Sequence, residues 1–346
     1  MAIPHATRSL VRYARAVLAY NLLVILWGAY VRASGSGAGC GRHWPLCNGG
    51  LVSRTDSMKT LVEASHRVTS GIALVAVVVL MVWTLLALPR GHRARKASIA
   101  STVFIFTEAL VGAGLVLFEL VATDKSMKRG LSMILHLDNT FVLLACLSVT
   151  AWTLTYDGAP PDRDVEASGR AERPSWLRPV VLVALASVLV LASSGAIAAL
   201  GDTLFPATSL RDGLAQDHSP LAHVFLRLRI LHPVIAALAG LVVVVSASLV
   251  RMAKPSPRAR TLSRVVTLVF ATQFMLGLLN VALLAPIGIQ LAHLLLADAT
   301  WIALVLMAWE ALYATPKVAQ SPIMSRNGPA PMSDVPPSTS NVDPVT

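Results

Sequence analysis

Residues 60–71 read T-L-V-E-A-S-H-R-V-T-S-G, and from Gly71 an uncharged run begins, G-I-A-L-V-A-V-V-V-L-M-V-W over 71–83. A run of about 20 mostly apolar residues is what a helix needs to cross a bilayer. Glu63, His66 and Arg67 stand at its mouth. Glu63 and His66 are three apart, so on a helix they share a face. A carboxylate, an imidazole and a guanidinium at a water–lipid boundary are not needed to hold a helix in lipid, and they point to a site.

Outward from this stretch, similar runs recur at 14–33, 98–118, 131–154, 177–200, 230–250, 263–284 and 291–313, which with 67–88 makes eight. The expected fold class is an all-α integral membrane protein, its eight transmembrane helices arranged as two pseudo-repeated four-helix bundles. The composition agrees. Hydrophobic residues make up 55 % of the chain and charged residues 14 %. The net charge of +11 could suggest nucleic acid. The Lys and Arg residues, however, sit in short connections on one side, among them Arg8, Arg12, Arg15, Arg90, Arg93, Arg95, Arg163, Arg170, Arg251 and Lys254. Positive-inside orientation explains them, so no nucleic-acid partner is expected and both termini are expected in the cytoplasm, with membrane lipid as the surroundings. The first run follows three arginines, as in a signal peptide, but its length and the Trp27–Tyr30 belt favour a retained helix.

The expected organisation is a cytoplasmic N-terminus (1–13), an N-terminal half (14–156) with a long outer loop (34–66), a cytoplasmic linker (157–176), a C-terminal half (177–314) and a Pro- and Ser-rich disordered tail (315–346). Within each half a histidine opens the second and fourth runs: His66 and His136 (M-I-L-H-L-D-N-T-F), then His232 (R-I-L-H-P-V-I-A) and His293 (Q-L-A-H-L-L-L-A-D-A). Alternate helices place all four at one depth, towards the outer face. Two facing helices with one histidine each can ligate a heme iron from both sides. The odd runs carry small residues, V-G-A-G-L at 111–115 and L-G-L-L-N at 276–280, where helices can approach closely.

Cys40 and Cys47 lie in the glycine-rich outer stretch G-S-G-A-G-C-G-R-H-W-P-L-C-N-G-G. In an oxidising compartment they can pair, either as a staple for the loop or as a redox-active disulfide. Cys146 reads as a small buried residue. Asp138 and Asp298 read either as ligand-orienting or proton-carrying groups or as helix-pairing ones. Glu108, Gln273 and Asn280 read as inter-helix hydrogen-bonding groups. Arg32, Arg67, Lys128, Arg129, Arg227 and Arg229 cluster near the outer ends. Arg67 and Arg229, each within three residues of a candidate ligand, are the best candidates to pair with heme propionates rather than snorkel.

Together the eight runs in two halves, the C-x6-C loop, E-A-S-H-R and the histidines of runs 4, 6 and 8 resemble the heme A synthase family over roughly residues 10–315. The resemblance implies an enzyme, a heme-dependent oxidoreductase. It would oxidise the C8 methyl group of heme O to a formyl group by successive hydroxylations, giving heme A for cytochrome oxidase. It implies His232 and His293 as ligands of a heme b cofactor, and His66 and His136 flanking the substrate heme iron. It also implies Glu63 as the acid beside that substrate and Cys40–Cys47 as the outer-loop disulfide. Some members carry a second cysteine pair in the matching loop, and residues 201–229 here contain none. Heme O synthase and an electron donor such as a quinol are candidate partners, and a homo-oligomer stays open. Two other readings fit the histidines: a bis-histidine b-type cytochrome passing electrons between quinol and a partner, and a transporter with a His/Asp proton relay.

Overall fold

The computed structural model describes residues 5–50, 57–156, 174–253 and 256–313. The expected N-terminal segment is described from His5; the tail and all but the last residues of the linker lie outside the described residues. The described helices are α1 His5–Ala33, α2 Met58–Ala87, α3 Arg93–Leu117, α4 Met127–Tyr156, α5 Leu177–Leu204, α6 Leu210–His218, α7 Val224–Arg229, α8 Leu231–Ala253, α9 Pro257–Ala282 and α10 Ile287–Tyr313. Eight segments are long and apolar enough to cross a membrane, α7 and α8 together forming the sixth. The protein is thus an all-α, multi-pass membrane protein, as the sequence predicts.

Sequential helices pack on one another through α1–α4 and again through α5, α8, α9 and α10. α4 and α10 then join the two sets: α4 contacts α5 and α10, and α1 contacts both α4 and α10. One buried cluster unites Phe141 and Leu144 with Val181, Val243, Val266 and Leu304; a second unites Leu10, Val77, Leu80, Leu143 and Leu147. Apolar side chains such as Leu23, Val75, Leu110, Leu182, Leu241 and Leu268 stay exposed, as lipid-facing positions must. Polar groups inside the bundle are spent on neighbours: Trp301 Nε1 donates to the Phe141 carbonyl at 2.6 Å, and Thr300 to Gln273 Oε1 at 2.8 Å. Asn280 Oδ1 finds no hydrogen-bond partner, so the expected bridging role is met by Gln273 and not by Asn280.

The two ends of the bundle are fastened differently. At the end that carries the cysteine loop, Arg32 of α1 donates to the Ala199 carbonyl (2.7 Å) and Thr203 of α5 (2.5 Å) and to Gln290 of α10 (3.0 Å). At the opposite end Glu310 of α10 accepts from Trp152 of α4 (2.7 Å) and from Ser256, the N-cap of α9 (2.9 Å).

Three boundaries depart from the hydrophobic pattern. α2 starts at Met58 and not near residue 67, because one face of its first turns bonds to the preceding loop, Thr60 to the Gly39 carbonyl and Glu63 to the Cys40 N–H. Gly39 sits so close that a Cβ there would lie 2.6 Å from the Lys59 backbone. The sixth span breaks at Ile230. Pro233 has no N–H for the Arg229 carbonyl, and its ring crowds that carbonyl, so the helix restarts with proline in its first turn. Finally, the loop before it contains α6, capped by Ser209, whose hydroxyl accepts from the Asp212 N–H at 3.1 Å.

Candidate functional site

Each of the four histidines lies against a glycine on the helix that precedes it. A Cβ added to Gly28 of α1 would lie 2.8 Å from His66 Cε1, and one on Gly112 of α3 would lie 3.7 Å from His136 Cε1. In the second set, Gly195 of α5 gives 3.1 Å to His232 Cε1 and Gly277 of α9 gives 3.0 Å to His293 Cε1. At Gly28, Gly195 and Gly277 glycine leaves space that the ring needs, whereas at Gly112 a Cβ would make an ordinary contact. The sequence marked Gly112 and Gly277 as close-approach positions; Gly28 and Gly195 carried no local signal.

His66 and His136 stand on α2 and α4 of the first set of helices, and His232 and His293 on α8 and α10 of the second. Their outer nitrogens differ. His232 Nδ1 is 2.9 Å from Ser194 Oγ. His136 Nδ1 is 3.3 Å from Glu108 Oε1. The Nδ1 atoms of His66, His136 and His293 are buried and make no hydrogen bond. Among the described residues no three His, Cys, Asp or Glu side chains gather as a metal cage, so Cys40, His43 and Cys47 do not form one. A heme, by contrast, brings four nitrogens of its own and asks the protein for only one or two axial ligands. Imidazoles beside glycines, three of them with buried nitrogens that make no hydrogen bond, fit that demand.

Glu63 lies under the cysteine loop. It is buried, its Oε2 accepting from the Cys40 N–H at 2.9 Å and its Oε1 from Arg67 at 2.6 Å. The other Nη of Arg67 donates to the Leu46 carbonyl at 2.6 Å and also to the His43 carbonyl. Cys40 and Cys47 are joined by a disulfide. Thus the loop, the acid and the guanidinium form one unit: Arg67 grips two carbonyls inside the disulfide ring while Glu63 holds its first cysteine. Arg67 Nε stays buried without a partner. In the second half Arg229 bridges Asp202 (2.8 Å) and Asp217 (2.5 Å), so the loop without cysteines is held by ion pairs. Two further outer-end residues have protein partners as well: Arg129 donates to the Ala122 and Asp124 carbonyls, and Arg227 to that of Pro220.

Asp138 accepts from Ser193 of α5 at 3.0 Å, a helix-pairing contact. Asp298 is fully buried, with neither oxygen hydrogen-bonded. Cys146 is a partly buried free thiol.

The family profile described as COX15-CtaA, cytochrome oxidase assembly protein, matches residues 11–305. Two Thermus thermophilus proteins, one from each of two strains, are named "Protoheme IX farnesyltransferase". Both are 45% identical to this chain over 300 residues, covering 87% of it and 48% of their own length. A "Heme A synthase" of Bacillus cereus (strain AH187) is 38% identical over 126 residues, covering 36% of this chain and 40% of that protein. The chain therefore spans about half the length of the curated relatives it matches.

Proposed function

The chain belongs to the heme A synthase family, the cytochrome oxidase assembly proteins, and we propose that it oxidises the C8 methyl group of heme O to the formyl group of heme A. The observation that carries this reading is the pairing of four imidazoles, each bedded on a glycine, with a buried Glu63–Arg67 unit beside only one of the two pairs. A protein that merely passed electrons would need both pairs but not that unit.

His232 and His293 would hold a heme b cofactor, which supplies one-electron redox chemistry when bound. His66 and His136 would flank the iron of substrate heme O. Glu63 is fixed in aim by Cys40 and Arg67. It serves as a proton acceptor at the mouth of the site, or steadies positive charge that develops on the substrate. Arg67 keeps one buried donor, Nε, for a propionate; Arg229, with both Nη atoms on carboxylates, is the weaker propionate candidate and chiefly holds its loop. The disulfide acts as the staple of the loop that positions Glu63. A long isoprenoid tail would lie among the exposed apolar side chains of the span surfaces, in lipid.

The Thermus relatives are about twice as long as the stretch they share with this chain. We assign prenyl transfer to the part it does not match. That arrangement supports a heme O-forming enzyme as partner. The lysine and arginine distribution supports the cell membrane as location, with both termini cytoplasmic.

The test is chromatography of hemes extracted from membranes that make heme O but no heme A, with and without this chain. Heme A or a hydroxylated intermediate should appear only with the chain. Glu63→Gln should cut the product sharply, and a normal rate would remove Glu63 from the mechanism. Heme b alone in both sites, with no product, would favour the electron-transfer cytochrome. A colourless protein would favour the transporter.

A further inference from the structure

The four histidines do not have equivalent surroundings. Only His136 has a carboxylate behind it. Glu108 Oε1 lies 3.3 Å from His136 Nδ1, within ion-pair reach though not in hydrogen-bonding geometry, whereas His232 faces a serine hydroxyl and His66 and His293 have neither a hydrogen bond at Nδ1 nor a carboxylate beside it. Glu108 is itself held from several directions. Asn139 Nδ2 donates to its Oε2 at 2.5 Å and also to the Phe104 carbonyl at 3.0 Å. Thr107 donates to Asn139 Oδ1 at 2.6 Å, and Thr140 donates to Glu108 Oε1. The carboxylate therefore has one aim, set by α3 and α4 together. The glycine notch says the same from the other side. A Cβ on Gly112 would clear His136 by 3.7 Å, against 2.8–3.1 Å for the other three. Three rings are wedged by close packing; the fourth has room and is aimed by a charge.

We propose that Glu108 is the positioning residue of His136, making it the stronger axial ligand of the heme bound between His66 and His136. The proposal rests on reading those two histidines as iron ligands. A carboxylate beside Nδ1 draws the ring proton to that nitrogen, which favours the tautomer that leaves the Nε2 lone pair free for iron and increases the electron density the ring donates. A more strongly donating ligand favours ferric over ferrous iron. His66 has no such support, so it is the ligand that yields more readily to another group. The asymmetry belongs to the half that binds substrate in the proposed function.

The experiment uses the full chain purified with heme in both sites, titrated electrochemically while the two hemes are followed by their absorbance and low-spin EPR signals. Glu108→Gln should shift the N-terminal heme towards the reduced form, lowering its oxidised-to-reduced ratio at a fixed poise by about tenfold. Glu108→Asp should restore part of the shift. The C-terminal heme, in the same molecule, should keep its potential and thereby report that the bundle is intact. Equal shifts in both hemes, or none in either, would overturn the proposal. His136→Ala separates the underlying reading: an unchanged N-terminal heme signal there would refute ligation itself, whereas its loss with an unmoved Glu108→Gln potential would refute only the role of Glu108.

Discussion

Replacing Gly28 by alanine should dislodge His66, while the same change at Gly112 should leave His136 where it is. The new Cβ at position 28 would lie 2.8 Å from Cε1 and 3.1 Å from Nε2 of His66. Relaxed carbon contacts sit at about 3.5–4.0 Å, so the ring or the helix must move. Overpacking of this kind costs about 1–3 kcal/mol. At Gly112 the distance is 3.7 Å, an ordinary contact. Alanine there adds helix propensity worth about 0.5–1 kcal/mol. Both substitutions gain that propensity, so the difference between them is the overpacking cost itself, about 1–3 kcal/mol. Gly195→Ala and Gly277→Ala, at 3.1 and 3.0 Å, should fall between. Thermal unfolding of the detergent-solubilised chain, followed by helical circular dichroism, ranks the four variants. The low-spin heme spectrum of the N-terminal site reports the ring, and Gly28→Ala should lose or alter it. Equal stability and identical spectra for Gly28→Ala and Gly112→Ala would refute the idea that glycine is there to seat the imidazole.

Other expectations follow from the polar contacts. Arg67→Ala removes the grip on two loop carbonyls and leaves Glu63 buried without its cation, which should destabilise by about 3–5 kcal/mol and open the 40–47 loop to proteolysis. Cys40→Ser with Cys47→Ser should cost less, about 2 kcal/mol, read as a lower midpoint that reductant no longer changes. Arg32→Met should lower the unfolding midpoint by the equivalent of about 1–3 kcal/mol, since it leaves the Ala199 carbonyl and Gln290 without their donor. For α6 the Thr208 backbone N–H, with its hydroxyl, holds the Asp212 carboxyl below its ordinary value. The stabilisation is therefore complete above the unfolded value, about 3.9, and is lost as pH falls through the depressed folded one. Amide exchange in α6, corrected for its intrinsic pH dependence, should rise on acidification in the native chain and lose that response in Asp212→Asn.

The spans were readable because lipid imposes a length and a polarity that a linear sequence must display. The histidines were readable for a related reason: an imidazole at the mouth of an apolar run is conspicuous, and four at corresponding positions more so. The start of α2 was not, because Thr60 and the Lys59 backbone meet Gly39 of the cysteine loop only in three dimensions. The break at Ile230 was written in Pro233, whose missing N–H is a local property. Glu108 showed its cost as a charge in an apolar run but not its partner, since His136 lies on another helix. Arg67 and Arg229 stood out by lying close in sequence to His66 and His232, yet the loop carbonyls and carboxylates that occupy them come from segments folded back over the ends.

The fastening of both ends has a mechanical consequence. Alternating access works by rocking one bundle against another, which requires at least one end to part freely at each stroke. Here opening one end means pulling Arg32 from α5 and α10, and opening the other means parting Trp152 of α4 from Glu310 of α10. Each stroke would strand charged or amide groups in a medium that offers them no replacement. Such a molecule behaves as a braced truss. On the function proposed above, substrate and product would come and go sideways through the lipid-facing seams between helices, and the pace of that work would depend on how quickly a large amphiphile diffuses in the bilayer plane and slips through those seams.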